Sequence, residues 1–600
     1  MPRVEIVLAR SFQSKDNLSR VLYMGQVKTI IQLADTKFSI FILIWSLFLL
    51  NTVLDLVGIA LVGPFIAMVI DPSVLKQTWV GSLIINVLKI ESDSDLIQSI
   101  GVLICLVAAA RAIFGLLSTK VILMFCHAAQ AQMKLKLLRS YLAYDYATFI
   151  EKKPSEYLHM INAVTSDFMK LLSALLKTGS DLIIGISIFI FLGFVNIEFL
   201  LIIVVGSAII VILLTVFVRR KLQQYGKLGN EISSSIIQII NDALRGFREL
   251  SVFGVSSVFL KKMSAKTQEL ASINATADLI NELPRYFFEG IITLFIVVLV
   301  IYTTLIQIPA TETLALIGFY GFAGVRVLPL MRSLSFFFNQ LHFRSDSLLR
   351  LQQDLSDVDF SQKIPEVHMS KPKETRFKSL CFDEVCFSYG KSDALLLEKV
   401  SFEISAGEVV GICGRSGEGK STVLDLLLGL LKPVSGRITI NQRDRDWEER
   451  TIFHGIGLVS QDVLIMNATV AENIVLTDNK QNIDNKKLEF AMQVSASSAF
   501  IRNLPKGADT MLSDRGVGLS GGQRQRIGIA RAIYHGSHFI VLDECTSALD
   551  RITENQIIKM IKNLRGVVTV VLVTHNSEML DVCDTVYQIN KGKFVKVNHH

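Results

Sequence analysis

Six stretches of this chain are too apolar and too long to remain in water: about 38–70, 97–126, 172–195, 199–218, 286–306 and 313–341. A helix needs about 20 apolar residues to cross about 30 Å of hydrocarbon. The runs therefore predict an α-helical polytopic membrane domain with six transmembrane helices, occupying residues 37–345. Their spacing is uneven. The connections after the second and fourth runs, 127–171 and 219–285, are long, and the others are short. The long ones hold Lys134, Lys136, Arg139, Lys152 and Lys153, then Arg219, Arg220, Lys221, Lys227, Arg245 and Arg248. By the positive-inside rule these connections, both termini and the C-terminal half face the cytoplasm. Neither long connection has the Gly/Pro/Ser clusters of a loop, so both read as membrane helices running on past the bilayer. In the first outer connection, Val74, Leu75, Trp79, Leu83, Val87 and Ile90 fall near one helical face. That predicts a short helix on the outer membrane surface, or equally one that caps the bundle.

The remaining features narrow the class. Residues 1–36 are polar and basic and lack the pattern of a cleavable signal peptide, so they read as a cytoplasmic lead-in. A net charge of +7 spread over 600 residues, without a basic tract, gives no case for nucleic-acid binding. The seven cysteines have no metal-site spacing and read as reduced thiols. Residues 346–378 read as a linker before a soluble domain at 379–600.

In that domain apolar β-rich runs alternate with helical patterns, the signature of a mostly parallel sheet flanked by helices. The run FEISAGEVVGICGRSGEGKSTVLDLLLGLLKP contains a strand, a Gly-rich turn and a helix. Gly414, Gly419, Lys420 and Ser421 complete the G-x-x-x-x-G-K-[ST] pattern of a phosphate loop. Glycines let backbone amides close around phosphates at the positive end of the following helix. Gly414 through Thr422 (Gly414, Arg415, Ser416, Gly417, Glu418, Gly419, Lys420, Ser421, Thr422) thus form an expected ATP cradle, with the Ser421 hydroxyl on Mg²⁺. Further on, HFIVLDECTSALD places a buried strand directly before Asp543 and Glu544. A carboxylate there can hold Mg²⁺ while its neighbour polarises the attacking water.

At this point the chain resembles the ABC transporters. LSGGQRQR, residues 519–526, is similar to that family's signature motif, and the rest of its pattern is in order. VSQD carries the Q-loop Gln461, SALD ends in the D-loop Asp550, VTHN carries the switch His575, and FSYG places Tyr389 as the adenine-stacking aromatic. The resemblance implies an exporter-type half-transporter, an ABC exporter membrane fold followed by an α/β P-loop NTPase domain, working as a dimer with a second copy of itself. Each ATP is then expected between one phosphate loop and Ser520, Gly521, Gly522 and Gln523 of the other copy. It further implies Glu544 as general base, His575 on the γ-phosphate, and Gln461 with Ser421 and Asp543 around Mg²⁺. Glu418, Cys545 and Asn576 depart from the usual residues, and none removes a catalytic group. Segments 144–156 and 251–263 stand where the family has its coupling helices, ordinary helical packing being the other reading.

Charge inside the membrane bears on the substrate. Helical rise sets Arg326 roughly 20 Å below the outer end of its run and Arg111 roughly level with it. Arg285 begins its run near the inner surface, close to Arg332. Such charges face a bundle interior or a wet cavity, and guanidinium matches phosphate oxygens. Plainer readings exist: Arg285 can pair with Glu289, Asp55 can neutralise Arg111 or Arg326, and Arg332 can reach the inner headgroups. NELPRYFFEGI, VRVLP and RAIFG resemble the bacterial flippases of lipid-linked oligosaccharides used in protein glycosylation. That resemblance implies a polyprenyl-pyrophosphate glycan moved from the inner to the outer leaflet of the bacterial cytoplasmic membrane, contacted by Arg111, Arg285 and Arg326. Lipid A-type flippases and drug or peptide exporters share the architecture. A gated channel or a soluble translation or repair ATPase is the reading from another class; six spans exclude the soluble forms.

Overall fold

The structure is a computed structural model. It describes residues 26–34, 38–70, 93–195, 197–307, 328–356, 377–389, 394–445, 455–477, 479–512, 518–545 and 551–597. The chain divides into two compact units, one of Met1–Tyr144 with Glu151–Ser361, the other of Asp145–Ile150 with Gln362–His600.

The first unit is helical. Its long helices span Phe38–Ile70, Asp93–Leu142, Thr165–Val195, Ile197–Arg245 and Ser256–Leu305, and residues 328–343 are helical as well. The helix Ser256–Leu305 has 50 residues, which at 1.5 Å per residue makes about 75 Å. That is more than twice a hydrocarbon core, so such helices continue well beyond it. Among the described residues three helices are long and apolar enough to cross a membrane: Ile97–Leu142, Pro154–Ile190 and Ser256–Leu305. Leu106, Leu116 and Leu294 are exposed on two of these helices, and Val216 and Phe217 on the helix Ile197–Arg245, a cost in water that a bilayer removes. Inside, Ile44 and Phe48 pack with Ile122, Cys126 and Leu137, then Phe168 and Leu171, in one apolar cluster. Leu348, Leu351 and Leu355 of the helix Ser345–Ser356 join it, so the start of the expected linker is helical. The expected outer helix at 73–90, and Arg326 in the sixth run, lie outside the described residues.

The second unit is a two-sheet α/β domain. Strands β1 (Ser379–Phe387), β2 (Leu397–Ser405), β3 (Val409–Gly414), β4 (Ser435–Ile440), β5 (Arg443–Asp444), β6 (Ile456–Val459), β7 (Phe539–Asp543), β8 (Thr569–Val573), β9 (Thr585–Asn590) and β10 (Lys593–Val597) build it. One sheet is antiparallel in the order β2-β1-β4-β5. The other runs β10-β9-β3-β8-β7-β6 and is parallel except for its β10 edge. Sequence explains the difference. β3, β7 and β8 are continuous apolar runs buried on both faces, as a covered parallel sheet requires, whereas β2 alternates buried and exposed residues. Two apolar clusters line the faces of the parallel sheet, one around Ile527, Leu542 and Ile561, the other around Ile412, Leu427 and Val541. The sheet delivers β3, β7 and β8 side by side, with Gly414, Asp543 and Val573 at their C-terminal ends.

Candidate nucleotide site and its family

β3 ends at Gly414 and the helix Lys420–Leu428 begins after Gly419. Gly417 and Gly419 have φ of +85° and +99°, which a side chain would resist. A Cβ on Gly417 would meet nothing within 4 Å, so the backbone there borders open space. Lys420 is buried, and its Nζ donates to the Gly414 and Arg415 carbonyls at 2.7 and 3.1 Å. The same ammonium donates to His575 Nε2 at 2.9 Å. Ser421 is exposed beside it, and Thr422 Oγ1 lies 3.0 Å from the Tyr389 hydroxyl. Tyr389 leaves 44% of its surface open, an available stacking face.

β7 carries Asp543 to the same sheet edge, and Glu544 follows with φ of +45°. A non-glycine residue in that region costs of order 1–3 kcal/mol, and here the Glu544 amide donates to the Val573 carbonyl at 2.9 Å to hold it. The strained backbone turns the side chain toward its partners. Gln461 Nε2 donates to Glu544 Oε2 at 3.0 Å, and His575 Nε2 stands 3.6 Å from Glu544 Oε1. Gln461, Glu544, His575 and Lys420 therefore form one chain of contacts across β6, β7, β8 and the phosphate loop. Burial pushes the Asp543 carboxyl above its ordinary range; Glu544 adds to this and Lys420 opposes it.

Among the described residues no group of three or more His, Cys, Asp or Glu could hold a metal alone. Mg²⁺ is ordinarily held by one or two carboxylates together with substrate phosphates. Asp543, Ser421 and Gln461 supply hard oxygen donors, and the ion would neutralise charge developing on the phosphates. Asp550 lies outside the described residues.

Ser520 opens the helix Gly521–Tyr534 with a capping box: its hydroxyl accepts from the Gln523 amide and its amide donates to Gln523 Oε1. Gly521, Gly522 and Gln523 thus present the N-terminal end of an ordered helix, favourable to anions. Arg526, outside the expected site residues, anchors it. Its guanidinium is buried, stacks 5.0 Å from the Phe500 ring and donates to the Gly522 and Ala496 carbonyls and to Gln556. Asn576 caps the short helix Ser577–Leu580 and donates to Glu554.

Two matches decide the family. The ABC transporter family matches residues 397–547, and the ABC transporter transmembrane region family matches residues 41–314. The chain is an ABC transporter. The transporter is 28% identical to the ATP-dependent lipid A-core flippase of Cupriavidus pinatubonensis over 74% of its own length and 77% of that relative's. It is 38% identical to the chloroplastic ABC transporter B family member 29 of Arabidopsis thaliana, over 36% of its length and 34% of that protein's. Its fold matches a bacterial Atm1-family ABC exporter with ATP bound, at a TM-score of 0.73 and 20% identity, covering 91% and 93% of the two chains. The transporter is an exporter-type, multi-pass membrane protein whose ATP-binding domain hydrolyses ATP to drive transport.

In the membrane unit the three described arginines considered for the substrate, Arg111, Arg285 and Arg332, each have a carboxylate. Arg111 pairs with Asp55, which is 3% exposed. Arg285 Nε donates to Glu289, one turn on, at 2.8 Å. Arg332 donates to Glu282 at 2.8 Å, which sets its guanidinium beside the segment that carries Arg285. Asp181, also in an apolar run, accepts from the Ser333 hydroxyl. A lone carboxylate in such a run was the signal that could have drawn attention to it.

Proposed function

We propose that the transporter is an ATP-driven flippase for an anionic, lipid-linked substrate, a polyprenyl-pyrophosphate oligosaccharide moved from the inner to the outer leaflet of the bacterial cytoplasmic membrane. The observation that carries this reading is Arg111, held against the buried Asp55 within two apolar helices, with Arg285 and Arg332 in further ion pairs. Charge retained at such depth marks a pathway for a charged group. A phosphate-bearing head would exchange for the carboxylates, and the apolar surroundings would accept the lipid. Arg326 completes the proposed set.

The working unit in this reading is a homodimer. The helix Phe247–Phe253 has no buried residue and leaves Phe247, Val252 and Phe253 at least 69% exposed, an apolar tip that a second copy would cover. ATP would then lie between Lys420 and Ser421 of one copy and Ser520 and Gly522 of the other. Glu544 would take the proton of the attacking water while Gln461, which donates to it, holds that carboxylate in place.

A lipid A-type substrate is the second reading, favoured by the lipid A-core flippase relative. Reconstitution in liposomes separates the two. ATP-dependent protection of a fluorescent polyprenyl-pyrophosphate oligosaccharide in the wild type, lost in Glu544→Gln, is expected. Movement of lipid A-core alone would favour the second reading, and movement of neither would sink both.

A further inference from the structure

Glu418 is the residue of the phosphate loop that the chemistry of phosphate binding does not ask for. Its neighbours offer amides and a cation to an anion, whereas Glu418 brings an anion of its own. Its carboxylate folds back into the loop: Oε2 accepts from the Arg415 amide at 2.8 Å. The same oxygen lies 3.0 Å from where a Cβ on Gly414 would stand, so it packs against the first residue of the cradle. The Glu418 amide meanwhile donates to the Arg415 carbonyl at 3.3 Å, which closes the turn. Lys420 is occupied too, by the Gly414 and Arg415 carbonyls and by His575. Glu418 thus satisfies the Arg415 amide, and two loop carbonyls with His575 engage the Lys420 ammonium.

We propose that Glu418 is a tethered competitor for the nucleotide phosphates, an affinity-determining residue that keeps this phosphate loop capped until ATP displaces it. Two anions cannot share a cradle of this size without repulsion, and a carboxylate-to-amide hydrogen bond is among the stronger ones. Binding must break that bond and move the carboxylate toward solvent, which the partial exposure of Glu418 permits. The consequence is an ATP affinity set lower than the same loop would have with a small residue. ADP leaves faster for the same reason, because the carboxylate returns as the phosphates depart.

The test uses the full-length transporter in nanodiscs, with the equilibrium Kd of a fluorescent ATP analogue alongside KM and kcat. Glu418→Ser removes both charge and hydrogen bond and should tighten Kd and lower KM by roughly tenfold, the worth of one charge-assisted hydrogen bond. Glu418→Gln keeps the reach without the charge and should fall between the two. A Ser variant that binds ATP as the wild type does, or more weakly, overturns the proposal; the carboxylate would then be a strut holding the loop open. Salt separates displacement from distant repulsion. At about 0.5 M salt long-range repulsion is screened, so the affinity ratio should persist, and its collapse to one would overturn the displacement step. Thermal unfolding of each variant confirms that the folded protein is what binds.

Discussion

Lys420 and His575 meet at 2.9 Å between Nζ and Nε2, although 155 residues separate them in the chain. The phosphate-loop cation and the expected switch histidine are thus in direct contact. Replacing His575 by Ala should leave the ammonium on the Gly414 and Arg415 carbonyls while removing the expected γ-phosphate contact. Hydrolysis should fall by about 10²-fold or more while ATP binding stays at least as tight, measured by steady-state ATPase and equilibrium binding.

Glu544 is the expected general base, and its amide donates to the Val573 carbonyl from a left-handed backbone. Glu544→Gln should lower kcat by about 10²–10⁴-fold without weakening ATP binding. A variant that still turns over at more than a tenth of the wild-type rate would place the base elsewhere.

The Arg111–Asp55 pair predicts non-additive behaviour. Arg111→Ala removes a cationic partner of the buried Asp55 and should lower the unfolding temperature. The combined Arg111→Ala and Asp55→Asn variant should recover most of that stability in detergent-solubilised thermal unfolding. Flipping of the fluorescent substrate should remain at least tenfold reduced in both. Recovery of transport together with stability would make the pair structural only.

Gly226 tests helix packing. A methyl group there would overlap the carbonyl oxygen of Phe343, so the helix Ile197–Arg245 must pass close to that backbone. Gly226→Ala should destabilise the membrane unit by about 1–3 kcal/mol through overpacking, despite the better helix propensity of alanine. An unchanged unfolding temperature would refute the close approach.

Burial pushes the Asp425 carboxyl up to about 6, with the nearby Asp543 charge adding to it. A carboxyl raised on folding holds its proton more tightly in the folded state, so stability falls as pH rises from about 4 through about 6. Above that window the penalty is constant. Asp425→Asn should remove this part of the pH dependence and raise the unfolding temperature at neutral pH, read by thermal shift across pH 4–8.

The nucleotide site was legible in the sequence because its chemistry is local. A phosphate loop needs glycines, a lysine and a hydroxyl within a few adjacent residues, and a strand-end carboxylate pair is contiguous by nature. Gly414, Lys420, Asp543, Glu544 and Ser520 could therefore be placed without coordinates, together with the strand–turn–helix context around them. Arg526 could not be, since its role rests on Phe500 and Gln556, brought in from separate helices. Nor did the pattern reveal that Glu418 turns inward to the Arg415 amide; spacing marks a residue's position and leaves its rotamer open.

The membrane half divides in the same way. By itself the sequence determined that long apolar helices alternate with extended basic connections, because hydropathy and charge act residue by residue along the chain. It also contained the Arg285–Glu289 pair, four apart on one helix. Which carboxylate meets Arg111 and which meets Arg332 was decided only by the tertiary structure. Asp55 and Glu282 lie on other helices, and their choice depends on how those helices pack and rotate against each other. An ion pair between helices is a property of distance in space, and a chain records distance only along itself.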